Sequence, residues 1–174
     1  FSKFLDYPLN DQFYEPQIPE HLSSNNGIRL ILGKKNNLNI KKNNWEIREL
    51  KYDEIIELIK GKLAKSDPDN KWSDLINHSL SVEDNIIGLN ISGEDIPFLE
   101  IFSNSKVNFF NAKTLILNIE KNTKIDLTQI NLGDDNSSLS LSSYLFIGEK
   151  STVNHGIVSQ GNTKSHIINS LNVT

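Results

Sequence analysis

Cysteine and methionine are both absent from this chain of 174 residues. Without cysteine, the chain can form neither a disulfide nor a thiolate site for a metal or an iron–sulfur cluster. The absence also fits a reducing compartment, and we therefore expect a cytoplasmic protein. The sequence contains no apolar run of about 18 residues that could span a membrane, and no apolar stretch of a signal peptide follows Phe1.

The sequence also has no excess of positive charge. Lysine and arginine number 18 against 22 aspartates and glutamates, which gives a net charge of −4. Surfaces that bind nucleic acids are normally basic, so this balance argues against such a partner. The only local basic clusters are Lys34-Lys35 and Lys41-Lys42, which we interpret as parts of solvated loops.

What the sequence does contain is a repeat in its C-terminal half. A tripeptide of the type Leu-Asn-Ile occurs four times, and the first two steps between copies are equal while the last is shorter by two. The copies are Leu89-Asn90-Ile91, Leu117-Asn118-Ile119, Leu145-Phe146-Ile147 and Leu171-Asn172-Val173. A second marker, Glu120-Lys121-Asn122-Thr123, returns as Glu149-Lys150-Ser151-Thr152 after a step that is longer by one. A period of about 20–50 residues is typical of a solenoid, in which each unit buries its apolar side on its neighbours.

Each repeat unit consists of short β-favouring runs separated by turns. Leu115-Ile116-Leu117 and Ile125-Asp126-Leu127-Thr128 are such runs, and Gly133-Asp134-Asp135-Asn136 is a typical turn. No apolar stripe at helical spacing crosses the region. We therefore predict a mainly β protein whose residues from about 86 to 174 form a right-handed parallel β-helix, with 85–174 as one domain. The repeated asparagine either forms a ladder between coils or recurs by chance in an asparagine-rich chain.

Residues 1–84 differ in pattern and predict a small α+β region. After a turn-rich approach over 1–27, we expect a strand over Ile28–Leu32 and a hairpin-like turn to a return strand over Leu38–Ile40. A third strand is expected near Trp45–Leu50, and both Trp45 and Trp72 are expected in the core. The expected helix has Asp53 as its N-cap and apolar residues on one side, and a short second helix follows from Ser73 to His78. No linker separates the two regions near residue 84, so we expect them to pack directly.

The end of the chain also bears on its completeness. Leu171-Asn172-Val173-Thr174 stops on strand-like sequence, without the polar capping unit that a solenoid normally needs. Together with the absence of methionine, this predicts that the β-helix is truncated at its C-terminus.

The repeats resemble those of the SufB/SufD family, the β-helical scaffold proteins of the SUF system for iron–sulfur cluster assembly. The stretch from Leu115 to Leu127 is similar to a family pattern of strand, acidic turn and second strand. Ile147–Gln160 is similar to the family's next coil, and Ser165–Leu171 resembles the coil after that. Upstream, the resemblance includes Ile28–Leu32 and the segments listed here: Asp74–Leu80, Asn85–Ile91 and Ile96–Ile101. It covers roughly residues 28–174, and the order of the segments fits the SufD branch better.

The resemblance implies a scaffold rather than an enzyme. Members of the family pair with SufB through the β-helix and with the ATPase SufC through a C-terminal helical segment, and a homodimer through the β-helix is a further possibility. The resemblance implies that the complex assembles an iron–sulfur cluster, that SufC hydrolyses ATP, and that this chain carries no cofactor and no catalytic residue. No membrane partner is expected.

His155 and His166 are the most interesting candidates for a site. They lie in adjacent strand runs, and neutral imidazoles bind metals. Two histidines make a poor site, however, because zinc and iron centres require three or four ligands. His155 shares strand parity with Val153 and Ile157, which favours a hydrogen-bonded residue at the edge of the coil interior. Both histidines match family positions, but the match assigns them no role.

Three other motifs are interpreted as ordinary turns. Asp67-Pro68-Asp69-Asn70 lacks the glycine and the bidentate glutamate of a calcium loop. Gly148-Glu149-Lys150-Ser151-Thr152 lacks the Gly-Lys pair and the following helix of a phosphate-binding loop. The adjacent carboxylates of Asp134 and Asp135 point apart in a turn, whereas catalytic carboxylates usually face each other across a cleft.

Two alternatives to the scaffold remain. A carbohydrate-active or adhesive β-helix would need a groove of acidic and aromatic residues along one face. A left-handed hexapeptide acyltransferase is less favoured, because its coil of about 18 residues is much shorter than the repeat of this chain.

Overall fold

The computed structural model describes residues 27–33, 36–63 and 85–174. The expectations for the approach segment, the pair Lys34-Lys35, the motif at Asp67, Trp72 and the helix from Ser73 fall outside these ranges.

Three short strands and one helix come first within the described ranges: β1 (Ile28–Ile31), β2 (Asn39–Lys41), β3 (Trp45–Glu49) and α1 (Tyr52–Leu63). Longer strands follow, and all are separated by short turns. They are β4 (Ile86–Gly93), β5 (Leu99–Ser105), β6 (Phe110–Ile119), β7 (Lys124–Gly133), β8 (Ser138–Ile147), β9 (Thr152–Gly161) and β10 (His166–Val173). The predicted small α+β region before a run of strands is confirmed.

These strands alternate between two sheets. Sheet A has the order β10-β8-β6-β4-β3-β2, and sheet B has the order β1-β5-β7-β9. The pairs among β4 to β10 are all parallel, so each coil contributes one strand to each sheet. The predicted parallel β-helix is therefore confirmed, with about three turns. Its right-handed sense follows the general preference of parallel crossovers and stays a prediction.

The register from coil to coil is constant. Leu89 pairs with Leu117, Leu117 with Leu145, and Leu145 with Val173. The shorter last step that the sequence predicted is therefore wrong, because Leu171 lies opposite Ser143. The longer step of the second marker is wrong as well, since Lys124 pairs with Thr152. An error of a single position, as in that marker, would turn every side chain of a strand to the opposite face.

The turns follow the same period. Asn108, Asn136 and Lys164 occupy one position in three successive coils, with φ values of 62°, 55° and 59°. Asn122 and Lys150 repeat this at the other end of the coil, with φ values of 58° and 59°. Asparagine tolerates this left-handed conformation better than most residues. Asn136 Nδ2 donates to Asn108 Oδ1 at 2.6 Å, so the turns also bond from coil to coil.

The asparagine ladder that the repeat suggested is present for one step. Asn118 Nδ2 donates to Asn90 Oδ1 at 2.6 Å, and Asn90 Nδ2 donates to Glu120 Oε1 at 2.8 Å. The ladder stops at the next coil, where Phe146 pairs with Asn118.

The N-terminal strands close the first coil on both sheets. β1 runs parallel to β5, with Leu30 opposite Ile101, and β3 runs antiparallel to β4. The predicted hairpin between the strands at Ile28 and Leu38 is wrong, because β2 pairs with β3 and not with β1. Leu30 and Leu32 are fully buried over the coil interior, which a hairpin at the surface would not achieve. Trp45 is half-buried and packs against the same core, as expected.

Helix α1 covers the outer face of sheet A. Its first turn is capped by Lys51, whose carbonyl accepts from Ile55 N at 3.0 Å and whose N donates to Glu54 Oε2 at 2.8 Å. The predicted N-cap at Asp53 is therefore wrong; Asp53 lies inside the first turn, and Glu54 completes half of a capping box. The helix packs through a second apolar cluster made of Ile55, Ile59, Ile86, Ile116, Tyr144 and Phe146.

The interior between the two sheets is divided into an aliphatic half and a polar half. The aliphatic half lies where β4, β6 and β8 end and β5 and β7 begin, and includes Leu89, Leu117, Leu145, Leu99 and Leu127. The polar half lies at the opposite ends of the strands. Its buried polar members include Ser103, Asn111, Lys113, Gln129, Asn131 and Ser143.

Candidate functional site

The structure places His155 and His166 on different sheets. His155 lies on β9 in sheet B and pairs with Leu127, whereas His166 begins β10 in sheet A and pairs with Ser138. His155 follows the inward parity of the core residue Val153, while His166 follows the outward parity of sheet A and is exposed. The imidazole of His155 therefore points into the coil from sheet B, whereas that of His166 points to the outside from sheet A. The two histidines do not form one site.

His155 belongs to a hydrogen-bonded row inside the coil. Its Nε2 lies 2.9 Å from Gln129 Oε1, and Gln129 Nε2 donates to Ser143 Oγ at 2.8 Å across the interior. Burial lowers the pKa of His155, so the neutral imidazole is favoured. The buried Nδ1 has no hydrogen-bond partner among the described residues. His155 is thus linked to sheet A through Gln129, which has the position of a structural residue and not that of an isolated metal ligand.

A second polar row runs beside it along the helix axis. Ser103 Oγ donates to Asn131 Oδ1 at 2.6 Å, Asn131 Nδ2 donates to Asn169 Oδ1 at 2.8 Å, and Asn169 Nδ2 donates to Ser159 Oγ at 3.0 Å. Each amide thus uses both its donor and its acceptor. Ser103 and Asn131 are buried, whereas Asn169 and Ser159 are exposed. Polar groups that satisfy one another in this way position strands relative to each other and need no ligand.

Lys113 is the most unusual titratable residue in the interior. Its Nζ donates to the carbonyl of Leu32 at 2.9 Å and lies 3.5 Å from Asn104 Oδ1. Burial lowers its pKa to about 8. No carboxylate forms an ion pair with it within the described part of the chain. Its hydrogen bond joins the residue after β1 to β6, so the lysine ties the N-terminal region to the coils.

The two turn motifs in the described ranges are structural. The turn Asp134–Asn136 lies between β7 and β8, and Asp135 Oδ1 accepts from Thr163 N at 3.0 Å. Burial, and next the charge of Asp135, raise the pKa of Asp134. The turn after β8 carries Gly148, where a Cβ would lie 2.5 Å from Lys121 N. Glycine is required there because two coils approach closely, not because a phosphate binds.

The outer face of sheet B carries an open depression of about 610 Å³. Its side-chain wall is formed by Phe98, Asp126, Thr128 and Asn154, and its floor is the backbone around Gly156. Phe98 is 37% exposed. Asn154 Nδ2 donates to Asp126 Oδ1 at 2.6 Å. The depression therefore combines one aromatic ring with one carboxylate on a rigid sheet.

The edge of the β-helix formed by β9 and β10 exposes apolar side chains. Ile157 is 40% exposed, Leu171 45% and Val173 57%. These residues share the inward parity of the core, and among the described strands β9 and β10 are the last members of their sheets, so no described strand covers them on that side. Such an edge accepts another strand by backbone pairing.

The described residues contain no group of three or more His, Cys, Asp or Glu side chains that could hold a metal ion. None of the helices in these ranges has the length and apolar character needed to cross a membrane.

No protein-family model matches the chain, and no curated protein or solved structure shows significant similarity to it. The comparisons therefore assign the chain to no family, and the resemblance to the SufB/SufD family stays a prediction.

Sequence reasoning missed the polar interior and the depression. The depression did leave a signal, because Phe98, Asp126 and Asn154 follow one another at equal intervals and so occupy one position in successive coils. The polar rows left none, since Gln129 and Ser143 meet across two sheets and their spacing in the sequence does not report this.

Proposed function

We propose that the chain is a non-catalytic, cytoplasmic scaffold subunit of SUF-type iron–sulfur cluster assembly, similar to SufD. In this role it pairs with a SufB-like protein, and the complex works with a SufC-like ATPase. The cluster and ATP belong to the complex, and this chain supplies a rigid β-helical surface.

One observation supports the proposal above others. The segments that resemble the SufB/SufD family fall on successive strands of one β-helix. Leu115–Leu127 spans the end of β6, a turn and the start of β7, Ile147–Gln160 leads into β9, and Ser165–Leu171 covers most of β10. The resemblance required this alternation between two sheets, and a sandwich or a closed barrel would have contradicted it.

The chemistry of the interior is compatible with a scaffold. The polar side chains of the two rows bond to one another, and His155 takes part in such a row through Gln129. The exposed edge at β9 and β10 offers apolar side chains and backbone groups to another coil, whether from this protein or from a β-helical partner. A homodimer through the same edge is the competing assembly.

Co-purification tests the proposal. The full-length gene product, tagged and coexpressed with the SufB-like and SufC-like proteins of its own organism, should elute with both as one complex in size-exclusion chromatography. Elution of the wild type without either partner would contradict the proposal.

The depression on sheet B favours one alternative, a carbohydrate-active or adhesive β-helix. It provides the combination of an aromatic and an acidic residue that this alternative requires, with Phe98 and Asp126 at its wall. Binding of a polysaccharide by the full-length protein, together with failure to recover SUF partners, would favour this alternative over the scaffold.

A further inference from the structure

We propose that the depression on the outer face of sheet B binds the guanidinium group of an arginine side chain on a partner protein. The inference goes beyond the SUF assignment and does not depend on it.

The depression is built from two ladders of side chains across successive coils. Asp126 pairs with Asn154, and Phe98 precedes Leu99, so Phe98 occupies the position of Asp126 one coil earlier. Thr128 pairs with Gly156 in the adjacent ladder. A Cβ at Gly156 would lie 3.3 Å from Thr128 Oγ1. The glycine therefore leaves the floor without a side chain, and a planar group can approach the backbone.

The polar side-chain groups that remain free at the wall of the depression are acceptors, and the Thr128 hydroxyl can also donate. Asn154 Nδ2 is committed to Asp126 Oδ1, which fixes the carboxylate in place. Within the described part of the chain, no group donates to the second oxygen of Asp126 or to Asn154 Oδ1. None of the lining side chains is a lysine or an arginine. Acceptors with one negative charge, and no lysine or arginine among the lining residues, favour a positively charged donor.

The aromatic ring selects among cations. Neighbouring strands lie about 4.8 Å apart, so the ring of Phe98 stands one strand from the carboxylate of Asp126. A guanidinium can bind a carboxylate with two hydrogen bonds while its plane lies on an aromatic face, whereas an ammonium lacks the planar fork. Arginine therefore fits this pair of groups better than lysine does.

The shape of the depression indicates a partner protein as the source. It is wide and open, with Phe98 37% exposed at the wall. Small molecules bind tightly in sites that bury most of their surface, which this depression does not do. An arginine carried by a partner needs only its terminal group covered, because the rest of the interface contributes the remaining affinity.

A titration with short peptides tests the proposal. The ¹⁵N-labelled protein is titrated with acetyl-Gly-Gly-Arg-Gly-Gly-amide, and with matched peptides that carry citrulline or lysine instead of arginine. We expect amide shifts at Asp126, Thr128, Asn154 and Gly156, with a dissociation constant on the order of 1 mM. The citrulline peptide, which keeps the shape but loses the charge, should bind at least about tenfold more weakly. The lysine peptide should bind roughly threefold more weakly than the arginine peptide.

Three variants separate the contributions. Asp126→Asn should weaken the arginine peptide at least about tenfold, and Phe98→Leu about threefold. Glu149→Gln removes the same charge from an exposed turn outside the depression and should leave the affinity unchanged. Unchanged amide shifts of β7 and β9 away from the substitution show that each variant keeps the fold.

Four outcomes would overturn the proposal: no shifts at 10 mM peptide (about tenfold above the expected constant), shifts located outside the depression, equal binding of the citrulline peptide, or an unaltered affinity in Asp126→Asn. Binding of a neutral disaccharide more tightly than the arginine peptide would instead assign the depression to carbohydrate.

Discussion

Replacing Gly88 with alanine should loosen helix α1 from sheet A. Gly88 lies on β4 directly beneath the helix, and a Cβ there would lie 2.5 Å from Ile55 Cγ1, 2.7 Å from Ile55 Cδ1 and 3.2 Å from Leu50 Cβ. Ile55 is only 3% exposed, so its side chain has little room to move away. The glycine thus creates the space that allows the helix to lie close to the sheet.

The expected size follows from two opposing effects. Overpacking a buried contact costs about 1–3 kcal/mol, and replacing a strand glycine with alanine returns about 0.5–1 kcal/mol of backbone entropy. Gly88→Ala should therefore lower the free energy of unfolding by roughly 1 kcal/mol, within limits of about 0–2.5 kcal/mol. Ile55→Ala alone should cost about 2–4 kcal/mol, because it empties the same contact. In the double variant the new methyl group occupies part of the space that Ile55 vacates. The double variant should therefore be destabilised by about 1 kcal/mol less than the sum of the two single variants.

Urea unfolding of the four proteins, followed by circular dichroism, measures this coupling. Gly156→Ala is the matched control: it is also a strand glycine, but its Cβ would meet only the Thr128 side chain, at 3.3 Å, and the backbone beyond. The same gain in backbone entropy opposes only a mild contact there, so we expect the free energy of unfolding to stay unchanged or to rise by up to about 1 kcal/mol. Strict additivity of Gly88→Ala and Ile55→Ala, or equal effects at the two glycines, would refute the reasoning that α1 docks through this contact.

Three further predictions concern single interactions. Glu54→Gln should lower the free energy of unfolding by at most about 1 kcal/mol, because the ion pair with Arg48 is partly exposed. The pKa of Glu54 in the folded protein is lowered to about 2. In urea titrations the difference in stability between wild type and variant should therefore be present above about pH 4.3 and vanish as the pH falls through 2. The pKa of Lys113 is lowered by burial, so wild-type stability should rise by up to about 3 kcal/mol between pH 8 and 10.5, and Lys113→Met should abolish the rise in the same assay. Asn131→Ala should cost about 2–4 kcal/mol in calorimetry, because the fully buried Ser103 loses its acceptor.

Exposed residues provide the controls for these variants. Lys121→Met should keep the rise in stability above pH 8, and Asn162→Ala should change the free energy of unfolding by no more than about 0.5 kcal/mol. A pH profile of Lys113→Met identical to that of the wild type, or an effect of Asn131→Ala as small as that of Asn162→Ala, would contradict the corresponding prediction.

The coils could be predicted from the sequence because their period is a local property. A strand, a turn with Asn or Gly and a second strand return in every coil, and alternation within Ile125, Leu127 and Gln129 identifies the buried side. The errors of the last step and of the second marker arose from matching letters. The facing of the side chains excludes the step of the second marker, because a shift of one residue would reverse the faces. It does not exclude the shorter last step, because Leu171 and Val173 face the same side, and only the strand pairing aligns Val173 with Leu145.

The N-terminal region was harder to predict because its partners are distant. β1 pairs with β5, which follows only after β2, β3, α1 and β4, and nothing in the sequence around Ile28 distinguishes that partner from a nearby strand. The prediction of the N-cap failed for a different reason. Asp53 and Glu54 are adjacent acidic residues, and only the fold shows that the side chain of Glu54 accepts a hydrogen bond from Lys51 N. The depression and the polar rows depend on contacts between coils, so they follow only after the register is known.

The position of β1, β3 and α1 against the first coil has a consequence for how the protein is made. These elements precede the coils in the chain, so they leave the ribosome first and provide a template before any coil has been synthesised. Every later coil then finds a waiting edge on each sheet and adds to it. At each stage of synthesis the newest strand of each sheet is the unpaired edge at the growing end of the β-helix, and the next coil to emerge pairs with it.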